Sequence, residues 1–215
     1  MVRSLWPLFD LRLADDDLVL QPLREADLDE VIPLVPDDLE LDPGAFRFEA
    51  DRTTQRRLVI LQQYWRYYGA WTPASWRVTF AVRRAGELLG LQELEAQDFA
   101  QLRVVDTASW LTPAARGLGL GKQMRRCVLA LAFGPLQARA AVTSAWHDNH
   151  ASLGVSRSLG YQDNGVSTLA RGSGADTLVH LRMTRAEWER SAAGGAVTIS
   201  GFDPCRFLFG LPLGS

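Results

Sequence analysis

Arg116, Gly117, Leu118, Gly119, Leu120, Gly121 and Lys122 stand together directly before a segment with helical spacing. In that segment, residues 123–133, apolar side chains fall at Met124, Cys127, Val128 and Leu131, which is one face of a helix. A glycine-rich turn therefore delivers the chain into a helix N-terminus. Glycine lets backbone approach a ligand closely, and the first N–H groups of a helix have no internal partner. The helix dipole adds partial positive charge, and Arg116 and Lys122 add whole charges. The chemistry that suits such a place is anion binding, most naturally of phosphate. A plain strand-to-helix turn is the alternative. Two better-known phosphate loops fail on counting. A P-loop needs glycine five positions before Gly121, where Arg116 stands, and a hydroxyl where Gln123 stands. Gly-x-Gly-x-x-Gly started at Gly117 meets Lys122, and started at Gly119 it meets Met124.

Few other functional classes are open to the composition. The 215 residues suffice for one large domain, with 47% apolar and 22% charged residues. A net charge of −2 gives no basic field for nucleic acid or a membrane surface. The two cysteines, Cys127 and Cys205, form neither a disulfide framework nor, with His147, His150 and His180, a metal cluster at ligand spacing. Pro7, Asp10 and Arg12 interrupt the first apolar stretch, and no apolar run approaches the ~20 residues of a membrane span. The expectation is a cytoplasmic protein without metal.

Elements that could position the loop follow in mixed order. Residues 6–13 are an apolar arm, and residues 18–23 read as a first strand. Glu25, Ala26 and Asp27 open a helix that Pro33 and Pro36 disturb, and an acidic loop spans residues 37–50. Residues 53–68 read as a helix with Leu58, Leu61, Tyr64, Trp65 and Tyr68 on one side. Residues 78–83 and 88–95 read as a hairpin, and residues 102–111 as a strand running toward the glycine loop. A strand over residues 138–146 and a helix over 150–159 follow, the helix capped near Asn149 and stopped at Gly160. A strand over residues 176–183 and a helix from Arg185 close the run. A break at residues 193–195 precedes an apolar tail, expected to be ordered on its own domain or across a dimer. This order predicts one α/β domain with a mixed sheet.

The loop fits Arg-x-x-Gly-x-Gly at Arg116, Gly119 and Gly121, and here the chain resembles the GNAT superfamily of N-acyltransferases. Three further segments carry the resemblance toward its RimJ/RimL branch. Asn149, Ser152, Val155, Gly160 and Tyr161 form one. Asp106 to Leu111 form the second, with Asp106 and Ala108 where the family commonly has glutamate and glycine. The third runs from Leu181 to Trp188. The likeness covers residues 11–190 as a single domain, and residues 191–215 form a C-terminal extension. Its Gly201-Phe202-Asp203-x-Cys205-Arg206 stretch is similar to a small actinobacterial set. The resemblance implies a mixed, mostly antiparallel sheet flanked by helices and splayed at its two parallel central strands.

It also implies roles. Residues Arg116 through Lys122, including Gly117, Leu118, Leu120 and Gly121, would hold the CoA pyrophosphate. Pantetheine would lie in the gap between residues 107–111 and 142–146. A backbone N–H near Ser109, Trp110 or Leu111 would polarise the thioester carbonyl, because a fixed donor needs no reorganisation. Asn149 would bond pantetheine, with a helix N-cap as its plainer role. Ser152 would face the CoA sulfur, and Tyr161 would serve packing. The implied co-substrate is acetyl-CoA or another acyl-CoA, succinyl included. The acceptor is an amine, either a protein N-terminus or a small molecule. The implied reaction is direct attack, so neither cysteine need be a nucleophile. Asp106 leads Glu93 and Glu95 as candidate base. Glu93 and Glu95 share a strand face with Leu89 and Leu91 on a simple alternation, and solvated edge charge fits at least one of them. A non-catalytic acyl-CoA sensor of the same fold is the competing reading. An acidic acyl group would need a cation in the acyl pocket, and Arg47, Arg77 and Arg103 are the candidates. A homo-oligomer stays open.

Overall fold

The computed structural model describes residues 5–41, 45–46, 48–191 and 197–212. The break at residues 193–195 and Arg47 lie outside them. Among the described residues, nine strands form one sheet. They are β1 (Arg12–Asp15), β2 (Leu18–Pro22), β3 (Trp76–Arg84), β4 (Glu87–Ala96), β5 (Val104–Leu111), β6 (Ala140–Trp146), β7 (Gln162–Arg171), β8 (Gly174–Thr184) and β9 (Thr198–Ser200). The sheet order is β7-β8-β6-β5-β4-β3-β2-β1-β9. Every neighbouring pair is antiparallel except β5 and β6.

Four longer helices flank it: α1 (Arg52–Gly69), α2 (Leu120–Phe133), α3 (His150–Leu159) and α4 (Arg185–Arg190). The two sheet faces bury different clusters. On one, α2 and α3 cover Val78, Phe80, Val82, Leu94 and Val105; Met124, Cys127, Val128 and Leu131 are all within 2% of full burial. On the other, Tyr64 of α1 and a helical turn at Leu28–Val31 cover Leu23, Ala81, Leu88 and Leu91. We call these the helix face and the carboxylate face.

Several elements differ from the sequence reading. The glycine-loop helix begins at Leu120, so Gly121 and Lys122 belong to its first turn. The proline-disturbed segment is broken into a 3-10 turn at Glu25–Asp27, the turn at Leu28–Val31 and another 3-10 turn at Ile32–Leu34. In α1 the buried positions are Gln55, Val59 and Tyr64, while Trp65 is 54% exposed, because the helix rests only one narrow edge on the sheet. Strand β7 has no counterpart in the sequence reading. Nearly all its residues are exposed, so no apolar alternation marks it. Leu89 lies in the helix-face cluster, opposite Leu91, Glu93 and Glu95. A register shift beside Val82/Arg83 breaks the alternation next to Gly90. Glycine is needed there, since a Cβ would stand 2.2 Å from the Trp110 carbonyl oxygen.

The tail returns to the molecule. Strand β9 pairs with β1, and Phe202, Cys205, Leu208 and Phe209 are buried. Phe209 meets Trp76 edge-on at 4.8 Å, and the Trp71 indole donates to the Leu208 carbonyl at 2.8 Å.

Candidate active site

The two parallel strands part soon after they meet. Strands β5 and β6 pair at Val104 with Ala140, Val105 with Ala141 and Asp106 with Val142, and go no further. At the crotch, the Thr143 hydroxyl donates to the Thr107 carbonyl at 2.9 Å. Beyond it, residues 107–111 pair only with β4, and residues 143–146 only with β8. The facing edges keep backbone donors and acceptors without a strand partner, which suits an extended polar chain laid between them.

The glycine loop sits at the open end of this gap. Gly117 and Gly119 have φ of 75° and 79°, the left-handed region where an L side chain is strained. A Cβ at either would meet nothing within 4 Å, so both face open space. Gly119 caps α2 without a side chain; its carbonyl takes the Lys122 and Gln123 amides, so the Leu120 and Gly121 amides are those open to an outside acceptor. The helix is braced from below. Gln123 donates to the Asp15 carbonyl at 2.8 Å, and Arg126 pairs with the buried Asp15 carboxylate through Nε at 2.9 Å. Helix α3 lies alongside, with Val155 Cγ2 3.4 Å from where a Gly121 Cβ would be. At its start, Asn149 Oδ1 accepts from the Ser152 amide at 3.0 Å, so Asn149 is the N-cap. Ser152 is half-buried one helical turn before Val155.

Beneath the crotch, on the helix face, lies a residue the sequence reading passed over. Arg125 is 3% exposed and donates to Ser109 Oγ at 3.3 Å and Thr143 Oγ1 at 3.4 Å. Its Nε and the buried Gln92 Oε1 find no hydrogen-bond partner among the described residues. A buried cation without a paired carboxylate is costly and marks a functional candidate. The signal was on the helical wheel: at 100° per residue Arg125 falls about 60° from Val128, on the flank of the apolar stripe.

The carboxylate face is opposite in charge. Glu95 lies across from Asp106, and Glu93 across from the exposed Ala108. Burial first, then the neighbouring carboxylates, push Glu93 up to about 7; Arg77 and the Thr79 hydroxyl work against them. Burial and then Glu95 push Asp106 up to about 6, while the Thr107 amide, 2.6 Å from its Oδ1, holds it back. Burial dominates at both, and neighbouring carboxylates add to it: Asp106 stands directly across from Glu95, and Glu93 lies two residues along the strand from Glu95. Arg77 pairs with Glu95, reaches Glu93 at 3.4 Å and stacks 4.2 Å over the Tyr67 ring. Glu93 is therefore no solvated edge charge, though its side chain keeps 19% exposure, a route for protons. Trp110 points to the same side and packs beside Leu88 and Leu91. Arg103 is remote, bonded to the Leu136 carbonyl behind the start of β5.

An acidic strap, residues 36–41, ties the gap's two banks. Asp38 takes both terminal nitrogens of Arg116, at 2.5 and 2.8 Å. Glu40 pairs with Arg171, which also holds Asp148 at 2.9 Å and Asp176 at 2.8 Å and lies 5.0 Å over Trp146. Arg56 anchors the strap to α1 through the Leu39 carbonyl at 2.7 Å.

A sheet splayed at its parallel pair, with a glycine loop at the mouth, defines the class of CoA-dependent acyltransferases to which the resemblance pointed. Residues 17–162 match the family described as the acetyltransferase (GNAT) domain, and the chain belongs to that family. Its members use acetyl-CoA as co-substrate, and the chain is an acyl-CoA-dependent N-acetyltransferase. Among solved structures it is similar to Mycobacterium smegmatis RimJ in complex with CoA-disulfide, at 16% identity over 88% of this chain and 96% of that one, with a TM-score of 0.68. It is also similar to a chimera of the spermidine N-acetyltransferase SpeG from Vibrio cholerae. There the identity is 17%, over 81% and 99% of the two chains, with a TM-score of 0.62. No helix among the described residues is long and apolar enough to cross a membrane.

Proposed function

We propose that the chain moves an acyl group from CoA to a primary amine, with donor and acceptor meeting in the gap from opposite faces. The observation that carries this is the placement of Glu93 and Asp106 on the face away from the glycine loop, Glu93 across the strands from the exposed Ala108 and Asp106 two residues before it on β5. CoA brings an activated thioester. The chain's part is to hold its phosphates on the 116–122 loop, keep its pantetheine between β5 and β6, and aim a backbone donor from residues 109–111 at the carbonyl. Asn149 orients α3, and Ser152 meets the sulfur as charge arrives there.

The acceptor must shed a proton before it attacks. An α-amine of pKa about 7.7–8.0 is neutral in roughly a tenth of molecules at pH 7, a lysine near 10.4 in well under a thousandth. A carboxylate raised to about 7 can remove that proton from an α-amine at little cost. We therefore assign Glu93 as base, with Asp106 tuning it, and favour an α-amine acceptor such as a protein N-terminus. A second reading of the donor rests on Arg125: a cation under the crotch suits an acyl group ending in a carboxylate, such as succinyl, better than acetyl.

CoA release with a panel of amines, run with acetyl-CoA and succinyl-CoA, tests both readings. N-terminal peptides turned over faster than lysine side chains support the acceptor assignment. A succinyl preference that Arg125→Leu reverses supports the second donor reading. CoA binding without release under any pairing contradicts an enzyme and favours a sensor.

A further inference from the structure

We infer that Ser144, His180 and Ser167 form a second proton-handling group, on the bank of the gap opposite the carboxylates. This rests on the amine-transfer reading above.

Ser144 lies on β6 two residues past Val142, the last residue that β6 shares with β5. Asp106 and Ala108 stand in the same relation on β5, so all four side chains face the carboxylate side. Ser144 is exposed there. Its cross-strand partner on β8 is His180, and Ser144 Oγ lies 2.7 Å from His180 Nδ1. The other ring nitrogen, Nε2, lies 2.7 Å from Ser167 Oγ on β7. Both contacts are at the short end for hydrogen bonds, and together they reach from the gap to the exposed outer hairpin. An imidazole held between two hydroxyls, with no carboxylate on either nitrogen, is arranged to pass a proton rather than to keep one. The charged groups around it are Arg182, two residues along β8, and Asp106 beside Val142.

The chemistry supplies a use. An acceptor that arrives as an ammonium gives up two protons before it becomes an amide, and one carboxylate takes only the first. As the neutral amine attacks, the N–C bond forms and the carbonyl π pair moves to oxygen. Nitrogen becomes positively charged. Its second proton goes to Ser144 Oγ while the Ser144 proton passes to His180 Nδ1. The carbonyl re-forms, the C–S bond breaks, and sulfur leaves with the electron pair as thiolate. Once the amide has left, the imidazolium returns its Nδ1 proton through the exposed Ser144 to solvent, while Nε2 keeps the hydrogen it donates to Ser167, so the starting tautomer is restored. This needs the neutral tautomer that donates from Nε2 to Ser167 and accepts at Nδ1. Ser144 touches the reacting nitrogen, and His180 acts through it.

The test is steady-state kinetics at saturating acyl-CoA and amine for Ser144→Ala, Ser144→Thr, His180→Gln and the Ser144→Ala/His180→Gln double variant, with a melting curve for each. Loss of a relay predicts kcat down about a hundredfold in Ser144→Ala and His180→Gln, with the acyl-CoA KM within about twofold. Threonine keeps the hydroxyl and restores most of the rate. Groups acting as one unit do not add, so the double variant should be no slower than the worse single one, within about twofold. Parental kcat in Ser144→Ala, or losses that multiply in the double variant, overturns the inference. Ser144 is exposed, so its variants remain informative if His180→Gln fails to fold. An active parent with indifferent variants sinks the relay alone. A parent that never releases CoA to an amine sinks the functional reading and the relay with it.

Discussion

Where β5 leaves β6, Arg125 lies on one face of the sheet and Glu93, Glu95 and Asp106 lie on the other. The helix face also carries the glycine loop with Arg116 and Lys122, whereas the carboxylate face offers Arg77 against three acids. Each face suits one substrate: CoA is a polyanion, and an amine arrives as a cation. On the function proposed above, both reach the same carbon in the gap between β5 and β6. Separate faces keep the acids from repelling the phosphates and the guanidinium from repelling the amine, and burial on both sides makes those charges act strongly.

Ser152→Ala should weaken the donor side most. A hydroxyl that meets sulfur only as negative charge develops lowers the barrier without tightening the ground state. The expected loss is roughly ten- to a thousandfold in kcat, with acyl-CoA affinity within about threefold, by analogy with removal of one transition-state donor. Saturating rates paired with calorimetry check this. An unchanged rate would reduce Ser152 to a helix residue, and a large loss of affinity would make it a binding residue.

Gly119→Val should act on binding instead. With φ at 79° a valine is strained, and its side chain enters the open space that the phosphates need. Acyl-CoA affinity should fall at least about tenfold, near 1.4 kcal/mol. A folded variant with parental affinity would show that the loop is not the phosphate site.

The smallest effect concerns the strap. Asp38 occupies the Arg116 guanidinium, yet its side chain is 65% exposed, and such pairs contribute little. Asp38→Asn should tighten acyl-CoA binding only about two- to threefold at low salt, and less at high salt. Tenfold tightening would mean that the strap competes directly for the site.

What the sequence could reveal depended on whether the signal was local. The glycine loop, the Asn149 cap and the Gly160 stop each lie within a few residues of chain; the cap and the stop stand where their residues indicated, and the loop gives way to its helix three residues earlier, at Leu120. The carboxylate face was harder to read. Strict alternation put Leu89 with Glu93, but the irregularity beside Gly90 moves it to the other side, and that comes from β3–β4 register. Arg125 went unmarked, because its partners Ser109 and Thr143 are 16 and 18 residues away and nothing local among the described residues pairs with it. The contact of Ser144 with His180 spans 36 residues and exists only through the β6–β8 register. Strand β7 has almost no buried side chain, so hydrophobic periodicity could not mark it.

The division of labour between the faces is tested most directly by the pH dependence of Glu93→Gln. In the parent, kcat for an α-amine should climb with pH and level off above about 7, as Glu93 ionises. Stability runs the other way. A carboxyl raised on folding contributes stability at low pH and loses it as pH rises through its folded value, so the variant should melt higher than the parent at pH 8 and equally below about pH 4. At saturation, Glu93→Gln should lose about 10² to 10⁴ in kcat and the pH rise with it, while binding acetyl-CoA as the parent does. Parental kcat with the pH rise intact, or lost acetyl-CoA affinity, would contradict an acceptor face that works apart from the donor face.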